Sequence, residues 1–155
     1  MFNKTVVACM IFASSSSIVF AKATPYVGAG IGAGNKSTLN IFGGYGTTIG
    51  AKQQYYLGGE VNLEDIGYSQ LDHVNYGVGA SIIPGIYINS NTMAYARAGI
   101  ETTHYSNSHG VLFGTQLGLG LQTNVAKNWD VRGEYVHTAN INTNQYGVGV
   151  LYKFD

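Results

Sequence analysis

Three groups of residues in this chain have the types and spacing for chemistry. Glu60, Arg97, Glu101, Arg132 and Glu134 stand singly in stretches that are otherwise apolar, aromatic or glycine-rich, in a chain only 10% charged. Charges in such surroundings survive only when paired, because removing one partner of a buried pair costs about 3–5 kcal/mol. The five are therefore expected to form one ion network, most simply a structural one. His73, His104, His109 and His137 form the second group. Imidazoles gathered at one surface bind metals or respond to pH, but no two of these share a recognised ligand spacing, so no metal is assigned. The third group is His104-Tyr105-Ser106-Asn107, an imidazole two positions from a hydroxyl.

The elements that must position these groups are almost all of period two. Tyr26 to Gly34 sets Val27, Ala29, Ile31 and Ala33 against four glycines. Leu39 to Gly46 is less clear in phase, because Ile41 and Phe42 compete. Tyr55 to Leu63 opposes its apolar face to Glu60 and Asn62, and residues 64 to 75 read as a polar loop. Tyr76 to Ile88 sets Tyr76, Val78, Ala80 and Ile82 against Gly77, Gly79, Ser81 and Ile83, with Pro84 near its end, where a bulge or lost ladder bond is tolerated. Thr92 to Thr103 opposes Ala94, Ala96, Ala98 and Ile100 to Tyr95, Arg97, Gly99 and Glu101. Val111 to Thr123 opposes Phe113 and three leucines to Gln116, Gly118, Gly120 and Gln122. Trp129 to Val136 opposes Trp129, Val131, Gly133 and Tyr135 to Asp130, Arg132, Glu134 and Val136. Gln145 to Asp155 closes the count at eight strands. Each is about the length that crosses a bilayer at a tilt. Short turns at 47–52, 89–91 and 124–128 alternate with Asn/Ser/His-rich loops, as in a membrane barrel with short turns on one rim and longer loops on the other.

Composition agrees with this reading. Lys+Arg and Asp+Glu both number 8, mean hydropathy is +0.04, and Gly (22) and Tyr (12) are abundant. No basic block exists, which argues against nucleic acid as a partner. No run beyond residue 20 is long enough for a membrane helix, which leaves a barrel open. Lys4, the apolar Val6 to Ala13 and the small-x-small Ala21-Lys22-Ala23 predict a signal peptide over residues 1–23, cut after Ala23 or alternatively Ala21. The single cysteine, Cys9, falls inside it, so residues 24–155 form one domain without a disulfide.

Sterics choose the inward face. An eight-stranded barrel has an interior just wide enough for side chains, so the Gly, Ser and Gln face is expected inside and the Leu, Val and Tyr face in lipid. Tyr45, Tyr55, Trp129, Tyr152 and Phe154 then map to the turn rim, and Tyr76, Phe113, Tyr135 and Tyr146 to the loop rim. Two such belts are expected at headgroup depth. The last strand carries Tyr146, Val148, Val150, Tyr152 and Phe154 on one face, and resembles the C-terminal assembly signal of outer-membrane β-barrels.

The segments GGYGTTIGAKQQYYLGGEVN, AYARAG, VRGEYVHTANI and LYKFD resemble the transmembrane domain of OmpA/OmpX-type small barrels, across essentially the whole chain after the leader. The resemblance implies an all-β, eight-stranded, antiparallel up-and-down transmembrane β-barrel whose interior holds acidic and basic residues, here Glu60, Arg97, Arg132 and Glu134. The chain departs by ending in Asp155 rather than an aromatic residue. His104-Tyr105-Ser106-Asn107 also resembles the His-x-Ser-Asn of outer-membrane lipid A deacylases, which implies Ser106 as nucleophile and His104 as base. That family needs a downstream carboxylate, and residues 107 to 129 contain none.

The function expected is therefore non-enzymatic: a monomeric outer-membrane barrel with a packed polar interior, serving envelope structure or surface interaction through short outer loops. No cofactor is expected. Its partners would be outer-membrane lipid and lipopolysaccharide, the barrel-assembly machinery, and a host or envelope surface ligand. A lipid A deacylase-like hydrolase and a narrow gated pore are the alternatives.

Overall fold

A computed structural model describes residues 23–34, 37–50, 54–66, 75–104, 111–139 and 142–154. The expected leader up to Lys22, together with His73, Ser106, His109 and Asp155, lies outside the described residues. Eight strands follow in order: β1 (Thr24–Gly34), β2 (Thr38–Ile49), β3 (Tyr55–Ile66), β4 (Asn75–Tyr87), β5 (Thr92–His104), β6 (Val111–Ala126), β7 (Trp129–Thr138) and β8 (Thr143–Lys153). Each pairs antiparallel with its sequence neighbour, and β1 pairs with β8 from Tyr26↔Lys153 to Gly34↔Gln145. The sheet is thus a closed barrel without a free edge, the all-β antiparallel architecture expected from the period-two pattern.

Why these residues form these strands is visible in the alternation itself. Outward positions carry exposed branched and aromatic side chains, among them Ile31, Val61, Ile82, Leu119 and Val148, while their neighbours turn inward. In water such a surface would be unfavourable at about 25 cal/mol for each Å² of apolar area; against lipid it is the required one.

The turns are built from short-range hydrogen bonds. Gly50 adopts a positive φ of 95° in the β2–β3 connection, a conformation only glycine enters at no steric cost. At the β4–β5 turn, Asn89 Oδ1 accepts the backbone N–H groups of Asn91 (2.9 Å) and Thr92 (2.8 Å).

Three sequence expectations need correction, and two points left open are settled. β3 runs on to Ile66, so Glu64 lies in a strand with a buried inward side chain, and not in a loop. β6 continues to Ala126, past the expected Thr123, with a register shift between Asn124 and Ala126. In β2 the phase resolves with Phe42 inside and Ile41 outside. Of the two outcomes tolerated at Pro84, the lost ladder bond is the one found: pairing with β5 lapses after Ile82↔Ala98 and resumes in the same register at Gly85↔Tyr95.

The third correction concerns the interior, which is not uniformly small and polar. Tyr26, Phe42 and Leu151 form one buried apolar cluster, and Ile83, Met93 and Tyr95 form another, with Tyr56 and Tyr87 packed on it. The inward glycines explain how these side chains fit. A Cβ at Gly28 would stand 2.5 Å from the Phe42 ring, and one at Gly46 or Gly120 would collide with Tyr56 or Tyr95. Glycines on one strand vacate the space that aromatic rings on the next one fill.

Candidate functional site

Among the described residues charge is concentrated in the lumen, where side chains are stacked in three levels. Midway, β3, β5 and β7 present Glu60, Arg97, Arg132 and Glu134. Arg97 Nη2 donates to Glu60 Oε1 at 2.5 Å, and Arg132 Nη1 donates to Glu60 Oε2 at 2.6 Å, so one carboxylate is shared by two guanidinium groups. Arg97 also reaches Glu134 Oε2 at 3.1 Å through Nη2 and at 3.2 Å through Nε. The remaining lone pairs accept tyrosine hydroxyls: Tyr26 donates to Glu60 (2.9 Å) and Tyr95 to Glu134 (2.8 Å). Glu60 and Arg132 are 3% and 2% exposed, so these ions have little water to rely on and depend on each other.

Arg132 is held on every side. Its guanidinium carbon lies 4.7 Å from the centroid of Phe42, 5.2 Å from Tyr95 and 5.8 Å from Tyr26, within cation–π range. Its Nε and Nη2 both donate to Gln122 Oε1, at 3.2 and 3.0 Å.

Toward the turn rim the chain of contacts continues. Gln122 Nε2 donates to Asp130 Oδ2 at 2.7 Å, and Asp130 Oδ1 accepts Asn124 Nδ2 at 2.8 Å and Lys153 Nζ at 2.9 Å. Asp130 and Lys153 were not among the network residues expected from sequence, although the alternation had turned both inward. They line a recess of about 250 Å³ with Tyr87, Asn91 and Lys127.

Toward the loop rim the character changes. Glu101, expected in the same network, sits above it and forms no ion pair with Arg97 or Arg132. Its Oε2 accepts Gln116 Nε2 at 2.6 Å and Thr138 Oγ1 at 3.5 Å. Glu64 lies within direct electrostatic reach of it and accepts a hydrogen bond from Gln145. Ser81 links the levels, accepting from Arg97 Nη1 and donating to Gln116 Oε1, both at 3.4 Å.

A cavity beside Arg132, Glu134 and Asn40 measures about 20 Å³, room for a single water molecule.

On the outside, rings gather at both rims. Trp129 and Tyr152 meet edge-on at 5.1 Å, as do Tyr152 and Phe154 at the same distance. Tyr45 and Tyr55 are exposed toward the same rim. At the loop rim Tyr135 and Tyr146 lie 5.0 Å apart, and Tyr76 and Phe113 are exposed. On β8, Val148 and Val150 occupy the outward face between Tyr146 and Tyr152.

The candidate catalytic and metal residues are not brought together. His104 points outward and stacks on Tyr76 at 4.8 Å, whereas Glu101 points into the lumen. His137 Nδ1 lies 2.8 Å from Asn144 Oδ1, which also accepts the Tyr135 hydroxyl. Among the described residues no three His, Cys, Asp or Glu side chains converge on a metal position.

Comparison with known proteins follows the same line. The family described as outer membrane protein beta-barrel domain matches residues 5–154. No curated protein matches the chain. Among solved structures, a de novo designed transmembrane β-barrel superposes with a TM-score of 0.62 at 14% identity, covering 88% of this chain and 100% of its own. Ail from Yersinia pestis, in a phospholipid nanodisc, gives 0.61 at 14% identity, with 86% and 100% covered. The outer membrane enzyme PagL gives 0.54 at 14% identity, with 82% and 98% covered. At such identities these likenesses describe the fold alone.

Proposed function

This chain belongs to the outer membrane protein β-barrel domain family and resides in the bacterial outer membrane, and from that premise we propose that it is a non-enzymatic barrel. On this reading its plugged lumen makes the wall rigid, and its short outer loops meet lipopolysaccharide, other envelope components or a host surface. The observation that carries it is the shared Glu60 carboxylate, bound by Arg97 and Arg132 across the full width of the lumen. Opening a path there would break two buried ion pairs at once, so the lumen favours a plug over a gated pore.

The hydrolase reading lacks its orienting acid. His104 is on the outer face while Glu101 is inside, and the wall of the barrel separates them. Cells with and without the protein are expected to have identical lipid A by mass spectrometry, and purified protein is expected to leave a planar bilayer non-conducting. Loss of an acyl chain that depends on Ser106 would overturn the non-enzymatic reading; steady conductance would overturn the plug.

A further inference from the structure

The upper level of the lumen holds two carboxylates whose described hydrogen bonds come from neutral donors alone, Gln116 and Thr138 to Glu101 and Gln145 to Glu64. Glu101 and Glu64 are 2% and 4% exposed, and neither has a basic partner among the described residues, where the recorded ion pairs all lie at the lower levels. Beside them Asn62 is 5% exposed. Two oxygens here are buried and accept no hydrogen bond: Glu101 Oε1 and Asn62 Oδ1. A buried acceptor left unmatched costs about 1–3 kcal/mol, more when charged.

Both oxygens point to the same floor. Gly77 and Gly79 occupy consecutive inward positions of β4, with Glu64 opposite Gly77 on β3, and Asn62 and Glu101 on either side of Gly79. A Cβ at Gly79 would lie 2.5 Å from Asn62 Oδ1, and one at Gly77 would collide with Glu101 Oε1. Two glycines thus leave a cradle over which a carboxylate oxygen and an amide oxygen hang without partners, next to a second carboxylate. The space this pair vacates is entered by those two oxygens, and not by aromatic rings of the kind that face Gly28, Gly46 and Gly120.

We infer that this cradle binds one hard divalent cation, calcium by preference, through Glu101, Glu64 and Asn62 Oδ1, with water completing the shell. The donor set decides the class of ion. All three donors are oxygens, with no imidazole or thiolate among them, which suits calcium or magnesium and not zinc or copper. Calcium tolerates irregular geometry at about 2.3–2.6 Å, whereas magnesium demands a near-ideal octahedron that this asymmetric trio does not offer. A divalent ion also neutralises two carboxylates that otherwise repel each other. It would enter from the loop side, because the Arg97–Glu60–Arg132 level bars the other.

Titration calorimetry with calcium chloride tests this on the full chain refolded in detergent micelles free of lipopolysaccharide. One site is expected, half-saturated in about the 10⁻⁴–10⁻³ M range of extracellular calcium modules, with magnesium weaker. Glu101→Gln is expected to weaken calcium binding at least about tenfold while raising the calcium-free melting temperature, since it removes a buried repulsion. Gly77→Ala keeps every ligand but fills the cradle, and is expected to weaken binding to a similar degree. Undiminished calcium binding by both variants would put the ion elsewhere and overturn the inference. So would a wild-type protein that takes up no calcium while Glu101→Gln melts higher, which would mean that the two carboxyl groups share a proton instead.

Discussion

Arg132 Nη1 lies 2.6 Å from Glu60 Oε2 across 72 residues of sequence, and among the described residues no other ion pair in the lumen joins so distant a pair of charges. The two strands that carry them, β3 and β7, are not neighbours in the sheet, so the bond is a strut across the barrel and not a rung along its wall. Arg132→Leu removes that strut and leaves Glu60 with Arg97 alone. A loss of about 3–5 kcal/mol is expected, read as a lower urea midpoint for the folded band on unheated gels. Unchanged unfolding together with an unchanged, silent bilayer trace would deny Arg132 any part in closing the lumen.

Asp130 and Lys153 are paired at 2.9 Å, yet their removal should differ greatly. Lys153 is partly exposed at the turn rim, so Lys153→Met is expected to cost about 0–1 kcal/mol. Asp130 also anchors Gln122 and Asn124, and Gln122 in turn holds the rear of Arg132. Asp130→Ala should therefore cost about 1–3 kcal/mol, and equal unfolding midpoints for the two variants would contradict the linked arrangement.

Glycine position provides a sharper contrast. A methyl group at Gly46 has no room beside the Tyr56 ring, whereas one at Gly59 meets nothing within 4 Å. Gly46→Ala is expected to destabilise by about 1–3 kcal/mol, and Gly59→Ala to stay within about 0.5 kcal/mol of the parent. The reverse order would mean that the inward and outward faces have been exchanged.

Phe154 ends the rim stack with Trp129 and Tyr152, and its backbone N–H donates to Pro25 O at 2.9 Å. Phe154→Ala keeps the backbone bond and forfeits one ring pair, about 0.5–1.5 kcal/mol. The folded barrel is expected to tolerate that, while insertion into vesicles slows. Insertion at the parental rate would show that the terminal aromatic is ordinary belt material.

The alternation of single residues made the strand count, the up-and-down order and the inward turn of Arg97 and Arg132 legible, because lipid outside and a narrow lumen inside leave each position only one suitable type. What it did not reveal has physical causes too. Glu64 continues the inward series of Glu60 and Asn62, but a second acidic residue, Asp65, beside it gives the segment the look of a loop. The two clusters around Phe42 and Tyr95 were hidden because large rings alone overfill the lumen; they fit because glycines on neighbouring strands face them, a relation of register and not of local sequence. Glu101 was grouped with the mid-level ions since phase fixes the face of a residue and says nothing of its height.

The pairing of β1 with β8 bears on the order of events in folding. Its partners run from Tyr26↔Lys153 to Gly34↔Gln145, the largest sequence separations in the sheet. Until that seam forms, two strands expose unpaired backbone groups that hydrocarbon cannot satisfy. Hairpins such as β4–β5 can form early from local contacts, but the step that makes the wall complete joins β1 to β8. High contact order of this kind slows folding. Whatever local hairpins have formed, the wall therefore stays open to hydrocarbon until β8 reaches β1.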